Sequence, residues 1–373
     1  MKVSCLQENL TRGLQVVGRG VSSRGTLPIL SNVLLKTEAG RLKLTTTNLE
    51  VGVNCWVPAK VEDEGSITVP AKLLIDFVNS LSPGQIDLSL NVRTKTLHLK
   101  SGAYEANMRG LDAEDFPIIP TGPDKPTTRM AQGTLRQMIA EVAFVAATDD
   151  SRPILTGCLT SFAGEQVTMA AADPYRLSVR RAPLLLKVDP PIEVIIPAKS
   201  LFEAARILSD SGEVEIAVTA NGSQVIFHTE EADLVSRIIE GQYVNYKQVI
   251  PASHTTTVIL QREELLKATR LASFFARDAA NIVRLQVDPT SDPPLVVSAN
   301  AAEVGDNTGR VEADADGAPT TIAFNSRFLG EVLGSLTASE IALELGGPLA
   351  PGVVKIVGDD TYLHVVMPLR IPS

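Results

Sequence analysis

The feature that most limits what this chain can fold into is a repeat of domain length. Val69-Pro70-Ala71-Lys72-Leu73-Leu74 returns as Ile196-Pro197-Ala198-Lys199-Ser200-Leu201, and more weakly as Phe324-Asn325-Ser326-Arg327-Phe328-Leu329. Pro70 and Pro197 lie 127 positions apart, Pro197 and Asn325 lie 128 apart, and Phe116 and Tyr243 are again 127 apart. Solenoid repeats have periods of roughly 20–50 residues. A period this long is the size of a whole domain, about 100–150 residues. The sequence predicts one domain written three times, at 1–124, 125–252 and 253–373.

Each copy leads from an apolar residue into Pro or Asn, which suits a helix start because Pro sacrifices nothing at the first helical position. A basic residue follows: Lys72, Lys199 or Arg327. Apolar residues then recur at helical spacing: Leu74, Phe77, Val78 and Leu81; Leu201, Ala204, Ala205 and Leu208; Leu329, Val332, Leu333 and Leu336. One such helix is an ordinary amphipathic surface helix. Three in register can present their polar faces to one shared surface. A second set begins each copy, giving six helical windows at 7–20, 70–80, 134–146, 198–208, 261–277 and 325–336.

Alternating strands fill the intervals. The first copy has them at Met1–Cys5, Asn32–Thr37, Arg41–Thr46, Val51–Val61, Gln85–Leu90, Thr96–Lys100 and Tyr104–Met108. Later ones fall at Ile192–Ile196 and Tyr362–Met367. Leu27-Pro28-Ile29-Leu30 and Pro153-Ile154-Leu155 are echoes of one another. Pro120–Pro126 has the composition of a linker, and Glu303–Asp316 of an acidic loop. Strands outnumber helices about two to one, and no glycine-rich phosphate fingerprint opens a helix. The fold class is therefore α+β, with helices on one face of antiparallel sheets.

Hydrophobic residues make up 44% of the 373, but aromatics only 4%, so the cores must be built from Leu, Val, Ile and Ala. No apolar run approaches the roughly 20 residues of a membrane span, and the N-terminal residues have no secretion-type apolar stretch. Cys5, Cys55 and Cys158 are scattered and odd in number, which reads as reduced, buried, cytoplasmic thiols. The net charge of −9 argues at face value against a nucleic-acid binder. Its distribution argues otherwise. The six helical windows hold eleven basic and seven acidic residues, a net of +4, leaving −13 for the remainder. One mildly basic surface on an acidic body fits that split.

Catalytic parts are not visible. There is no P-loop and no nucleophile elbow. His98, His228, His254 and His364 stand without metal spacing, and nothing calls for a cofactor. The adjacent carboxylates Asp149-Asp150, Glu263-Glu264 and Asp359-Asp360 point in different directions on a strand or helix and suit caps or solvated surface. A binding protein is favoured. The alternatives are an enzyme on a triplicated α+β scaffold and a DNA-binding regulator. The regulator would need a recognition helix with base-reading side chains at its start.

The three domain-sized copies, Thr26-Leu27-Pro28-Ile29-Leu30, the Val-Pro-Ala-Lys helix start, Asp115-Phe116-Pro117, Ala172-Asp173-Pro174-Tyr175-Arg176-Leu177 and Val366-Met367-Pro368-Leu369-Arg370 together resemble the bacterial sliding-clamp family, the β subunits of DNA polymerase III. The match runs the length of the chain. It implies a non-catalytic processivity factor, with three tandem clamp domains per protomer. A head-to-tail homodimer would form a ring, antiparallel sheets outside and helices lining a central channel around duplex DNA. Partners implied are the replicative polymerase α subunit, the clamp loader, and other polymerases and repair proteins that carry short linear motifs; no membrane is implied.

By the same resemblance, a peptide-binding groove between the second and third domains involves Leu155, Ala172, Pro174, Tyr175, Arg176, Leu177, Val244, Val249, Val365, Met367, Pro368, Leu369 and Arg370. Its composition suits a short extended peptide with Leu or Phe anchors. Pro174, Tyr175 and Val244 depart from the side chains common in relatives. DNA contacts are expected at Arg24, Lys72, Arg152 and Lys199.

Overall fold

The computed structural model describes residues 1–22, 27–122, 125–149, 151–277 and 279–370. All six helical windows are helices, α1 (Gln7–Val17), α2 (Ala71–Asn79), α3 (Gln132–Val142), α4 (Ala198–Ile207), α5 (Arg262–Ala276) and α6 (Ser326–Ser335). Most of each apolar stripe is buried, while Phe77, Leu81 and Ala205 are half-buried. Leu10, Leu14 and Val17 are buried on α1, Leu74 and Val78 on α2, and Leu329, Val332 and Leu333 on α6. Each such side chain contributes roughly 1.5–3 kcal/mol on leaving water. Gly13 allows α1 to lie close to the sheet beneath it, since a Cβ there would fall 2.5 Å from a Val57 methyl.

In the first copy, the helix begins one residue later than the window 70–80 suggested. Pro70 is the last residue of the strand Ser66–Pro70 and the N-cap of α2, not its first helical residue. In the third copy, Asn325 caps α6 by accepting a hydrogen bond from the Arg327 N–H at 2.9 Å, the usual reason for Asn at this place.

The chain divides into two compact units. One comprises Met1–Gly133 and Glu203–Ile238, the other Thr134–Phe202 and Ile239–Ser373. Every strand pairing among the described residues is antiparallel. The first unit has a five-stranded sheet in the order Lys60–Asp63, Lys2–Leu6, Gln85–Asn91, Thr96–Ser101, Tyr104–Arg109. Its eight-stranded sheet runs Thr128–Ala131, Glu213–Val218, Gln224–His228, Ala232–Arg237, Val51–Val57, Arg41–Thr47, Asn32–Glu38, Ser66–Pro70. The second unit has a seven-stranded sheet in the order Gly157–Ala172, Arg176–Pro197, Asp359–Val366, Gly352–Ile356, Glu340–Leu345, Thr256–Gln261, Asp314–Gly317. Its four-stranded sheet is Gly305–Val311, Leu295–Ala301, Ile282–Val287, Thr320–Asn325.

Two of these sheets cross between sequence copies. Ala232–Arg237 pairs with Val51–Val57, Ala232 opposite Cys55 and Ser236 opposite Val51. Asp359–Val366 pairs with Arg176–Pro197, Val365 opposite Leu177 and Tyr362 opposite Arg180. Consecutive copies are thus joined by backbone hydrogen bonds.

Three expectations need correction. Val51–Val61 is not one strand. It breaks at Pro58-Ala59 into Val51–Val57 and Lys60–Asp63, which belong to different sheets, because Pro has no N–H to continue the ladder. The acidic stretch Glu303–Asp316 is mostly strand, Gly305–Val311 and part of Asp314–Gly317, since acidic side chains on an edge stay in water while the backbone pairs. The Pro-rich segment after Phe116 is tied down at both ends of its described part. Asn54 Nδ2 donates to the Pro120 carbonyl at 3.0 Å, the Gly122 N–H donates to Asp233 Oδ2 at 2.9 Å, and the Thr127 N–H donates to the Ile216 carbonyl at 2.9 Å.

The echoed Pro-Ile-Leu segments are the same device twice. Each forms a short 3-10 turn, Pro28–Ser31 and Pro153–Thr156, closed by a hydroxyl on the proline carbonyl, Ser31 at 2.6 Å and Thr156 at 2.7 Å. Ile29 and Leu30 pack on Phe116, while Ile154 and Leu155 pack in a cluster that holds Tyr243. Thr26, part of the first motif, lies outside the described residues. No described helix is long and apolar enough to cross a membrane.

Candidate partner groove and nucleic-acid face

The Ala172–Leu177 motif folds as a tight turn for local reasons. Asp173 Oδ1 accepts from the Tyr175 and Arg176 N–H groups at 2.8 and 2.9 Å, and the Asp173 N–H donates to the Arg176 carbonyl at 3.0 Å. Asp at the first position and Pro at the second are what such a turn favours. The turn leaves Pro174 and Tyr175 exposed. On the strands that flank it, Ala172 and Leu177 point into an apolar cluster with Leu155, Val365, Tyr243 and Tyr246. Tyr243 fastens two of its edges, accepting from the Ala172 N–H at 3.0 Å and donating to the Gly157 carbonyl at 3.3 Å. Burial pushes the Tyr243 phenol well above its ordinary range, so it stays a neutral donor.

Thus four of the expected groove residues, Leu155, Ala172, Leu177 and Val365, share one apolar floor. The C-terminal segment is held against the turn: the Met367 N–H donates to the Tyr175 carbonyl at 2.8 Å, and the Leu369 N–H donates to the Ala323 carbonyl at 2.8 Å. Met367, Pro368 and Leu369 are half-buried and Arg370 is exposed. Val244 and Val249 are exposed on the segment whose Tyr243 and Tyr246 enter the floor.

Arg176, expected in the groove, is held by its own chain. It is only 9% exposed. Its guanidinium donates from Nε to Asp173 Oδ2 at 3.1 Å, from Nη1 to Glu331 Oε2, and from Nη2 to the Phe144 carbonyl at 3.4 Å. It lies 4.4 Å from the Phe328 ring centre and 5.5 Å from that of Phe144, and Tyr175 stacks on Phe328 at 6.0 Å. Asp173, Phe328, Glu331 and Phe144 therefore build the rim with Arg176. The one sequence signal for Phe328 was an aromatic beside, and not in, the buried stripe of α6. Replacing Arg176 with Ala is expected to cost about 3 kcal/mol, the low end for breaking a buried ion pair because Glu331 can turn to water. Urea unfolding checks this, and a loss below about 1 kcal/mol would mean the pair is solvent-screened.

Behind the rim, His364 is fully buried with Nδ1 2.6 Å from Ser178 Oγ, its ring stacked on Phe144 at 5.8 Å, and no partner on Nε2 among the described residues. Burial, with the nearby Arg176 charge second, pushes its pKa down to about 3. The unfolded chain gains a proton on this histidine near pH 6.5 while the folded one does not. Its contribution is therefore complete above about pH 6.5 and is lost progressively as pH falls toward about 3, by about 1.4 kcal/mol per unit. Compared with wild type, His364→Gln should show a shallower loss of unfolding free energy between pH 6 and pH 4. Parallel profiles would show that His364 is not held neutral.

For nucleic acid, Lys72 and Lys199 each occupy the second position of a helix, α2 and α4, and both are exposed with no ion pair among the described residues. A cation beside the positive end of a helix dipole is unfavourable unless an anion is near. Arg152 is exposed just before the Pro153–Thr156 turn. Arg24 lies outside the described residues.

The carboxylate pairs serve local structure. Asp149 accepts from the Ser151 N–H and hydroxyl at 2.9 and 2.6 Å, Glu263 and Glu264 sit in the first turn of α5, and Asp359 holds Arg180 at 2.7 Å. Asp150 lies outside the described residues. The cysteines are buried, and burial pushes each thiol up to about 12, far from a nucleophile.

Three family models cover nearly all of the chain: the DNA polymerase III beta subunit N-terminal domain over residues 1–120, its central domain over 129–245 and its C-terminal domain over 247–370. The chain is 34% identical to the beta sliding clamp of Synechococcus elongatus over 380 residues, with all of both chains covered. Two crystal structures cover it fully and are fully covered by it: the Bacillus subtilis DNA polymerase sliding clamp at 27% identity and TM-score 0.94, and the Pseudomonas aeruginosa DNA polymerase III subunit beta at 30% and 0.92.

Proposed function

Because this chain belongs to the DNA polymerase III β-subunit family, the bacterial β sliding clamps, we propose that it encircles duplex DNA as a head-to-tail homodimer and tethers the replicative polymerase through the Leu155–Val365 groove. The copies are taken as 1–124, 125–252 and 253–373. It is a processivity factor, not a catalyst.

The observation that carries the ring is the pattern of strand edges. Within the chain, the last strand of one copy pairs with an inner strand of its neighbour: Ala232–Arg237 with Val51–Val57, and Asp359–Val366 with Arg176–Pro197. By repeat position the remaining members of these two sets are Tyr104–Arg109 and Gly305–Val311, and each is an open edge of its sheet. Exposed edges invite pairing with another chain. A second copy turned head to tail would satisfy both edges twice, giving six joined domains and no open end. Exposed Leu271 and Phe274 lie on α5, which packs against Gly305–Val311, and exposed Tyr104 begins the other edge.

Lys72, Lys199, Arg152 and Arg24 would meet the phosphate backbone. Such contacts hold duplex DNA without reading its sequence, so the ring can slide; topology, and not affinity, retains it. The groove takes short extended peptides with Leu or Phe anchors, from the polymerase α subunit and from other polymerases, repair proteins and the clamp loader. Met367 lets one site adapt to several of them.

The test is primer extension on singly primed circular DNA with a clamp loader, ATP and the cognate polymerase. The protein should lengthen products per binding event and stay on closed circles while leaving linear duplex by its ends. Equal retention on both would contradict topological binding. A site-specific regulator would instead favour one sequence over another.

A further inference from the structure

Five planar groups follow one another across the junction of the second and third copies. Tyr175 stacks on Phe328, the Arg176 guanidinium lies over both the Phe328 and the Phe144 rings, and Phe144 stacks on His364. Tyr175, Arg176 and Phe144 belong to the second copy, Phe328 and His364 to the third. Ring faces attract the central guanidinium, but its ion pairs set its angle. Asp173, in the same turn, takes Nε, and Glu331, brought in on α6, takes Nη1. Among the described residues, Glu331 is the one carboxylate that the third copy contributes to Arg176.

Glu331 is not committed to Arg176 alone. Its Oε1 stands 3.8 Å from Arg327 Nη2, one turn back on α6. One carboxylate thus serves two guanidinium groups of very different exposure: the Arg176 side chain is 8% exposed and that of Arg327 73%. Each cation draws the carboxylate from the other, and the two repel one another. Whatever neutralises Arg327 therefore leaves Glu331 to Arg176 and holds the rim more firmly. Arg327 is the one of the pair that a ligand can reach. It occupies the second position of α6, as Lys72 and Lys199 do in α2 and α4. A cation there, beside the positive end of a helix dipole, favours an anion close by.

We propose that Glu331 is a positioning residue that links the partner groove to Arg327, so that an anion at Arg327 fixes Arg176 and tightens peptide binding. In the ring, that anion is a backbone phosphate of the encircled duplex, and a clamp on DNA grips its partners better than a free one. The inference rests on the groove and DNA-encircling readings. The coupling is reciprocal: a peptide in the groove strengthens the hold on DNA by the same factor. It is also modest, roughly 2-fold, because an exposed pair one helical turn apart is worth little.

The experiment titrates full-length protein into a fluorescent, net-neutral peptide with Leu and Phe anchors, by anisotropy. Arg327→Gln should tighten binding roughly 2-fold, and Arg327→Glu, which repels Glu331 toward Arg176, roughly 5-fold. A gain of affinity is a result no folding defect can imitate. Glu331→Gln should weaken binding roughly 5-fold, and in its background the Arg327 substitutions should have no effect. Saturating unlabelled 20-base-pair duplex at low salt should tighten the wild type roughly 2-fold and leave Arg327→Gln and Glu331→Gln unmoved. Peptide affinity indifferent to both Arg327 substitutions would overturn the link and leave the groove standing. Gains that persist in the Glu331→Gln background would overturn the role of Glu331. A wild type that binds duplex without any change in peptide affinity would overturn the link to DNA. Wild type that binds no peptide would overturn the groove reading itself, and wild type that binds no duplex the DNA-encircling one.

Discussion

A chain ending at Val366 is expected to lose binding of a Leu/Phe-anchored polymerase peptide by roughly 100-fold or more, equivalent to about 3 kcal/mol. In the proposed groove, the half-buried Met367 through Leu369 would form one wall. The same segment would also brace the other: the Met367 N–H holds the Tyr175 carbonyl, and the Leu369 N–H holds that of Ala323. Removing it strips apolar contact and frees the Asp173–Arg176 turn at the same time. Neither open sheet edge includes this segment, so the dimer mass should persist. Isothermal titration with the peptide and light scattering measure the two properties separately. Met367→Ala guards against a folding defect, with a smaller loss of about 10-fold. Undiminished peptide binding by the truncated chain would move the groove elsewhere.

The second large effect concerns assembly. Leu271→Asp with Phe274→Asp should convert the protein from two chains to one of 39.8 kDa and abolish retention on closed circular DNA. These side chains are 48% and 56% exposed on α5, beside the unpaired strand Gly305–Val311. Covered by a second copy, they would be apolar contacts. Two carboxylates without partners would resist that burial, and a total near 4 kcal/mol is about a 1,000-fold loss of association. Because the substitutions are on surface exposed in the protomer, thermal stability of the isolated chain should hardly move and the peptide groove should keep its affinity. A variant that still weighs as a dimer would place the interface on other edges.

How much of this was legible beforehand follows from the range of each interaction. The six helices were readable because a buried stripe is a local, periodic property: Leu329, Val332 and Leu333 declare the inner face of α6 without knowledge of what covers it. The triplication was readable because equal structures reuse equal local signals, the strand-to-helix junction at Pro70, Pro197 and Asn325 and the Pro-Ile-Leu turn at Pro28 and Pro153. The groove residues are an expectation that rests on resemblance; what the chain itself makes legible there is the turn at Asp173 and Pro174, whose cause is local.

The sequence by itself determined the repeat, the α+β class, the faces that must be buried and the mild excess of positive charge on the helices. Tertiary structure alone decided which edges pair and which charges are neutralised. Nothing near Arg176 in sequence says that Glu331, 155 residues away, takes its guanidinium. Nothing near Val51 names Ala232–Arg237 as its neighbour, and nothing in α5 says that Arg262 is spent on the carbonyls of Leu333 and Ala338. Periodicity records how a side chain faces water, but the identity of its partner is set by a chain that returns from far away.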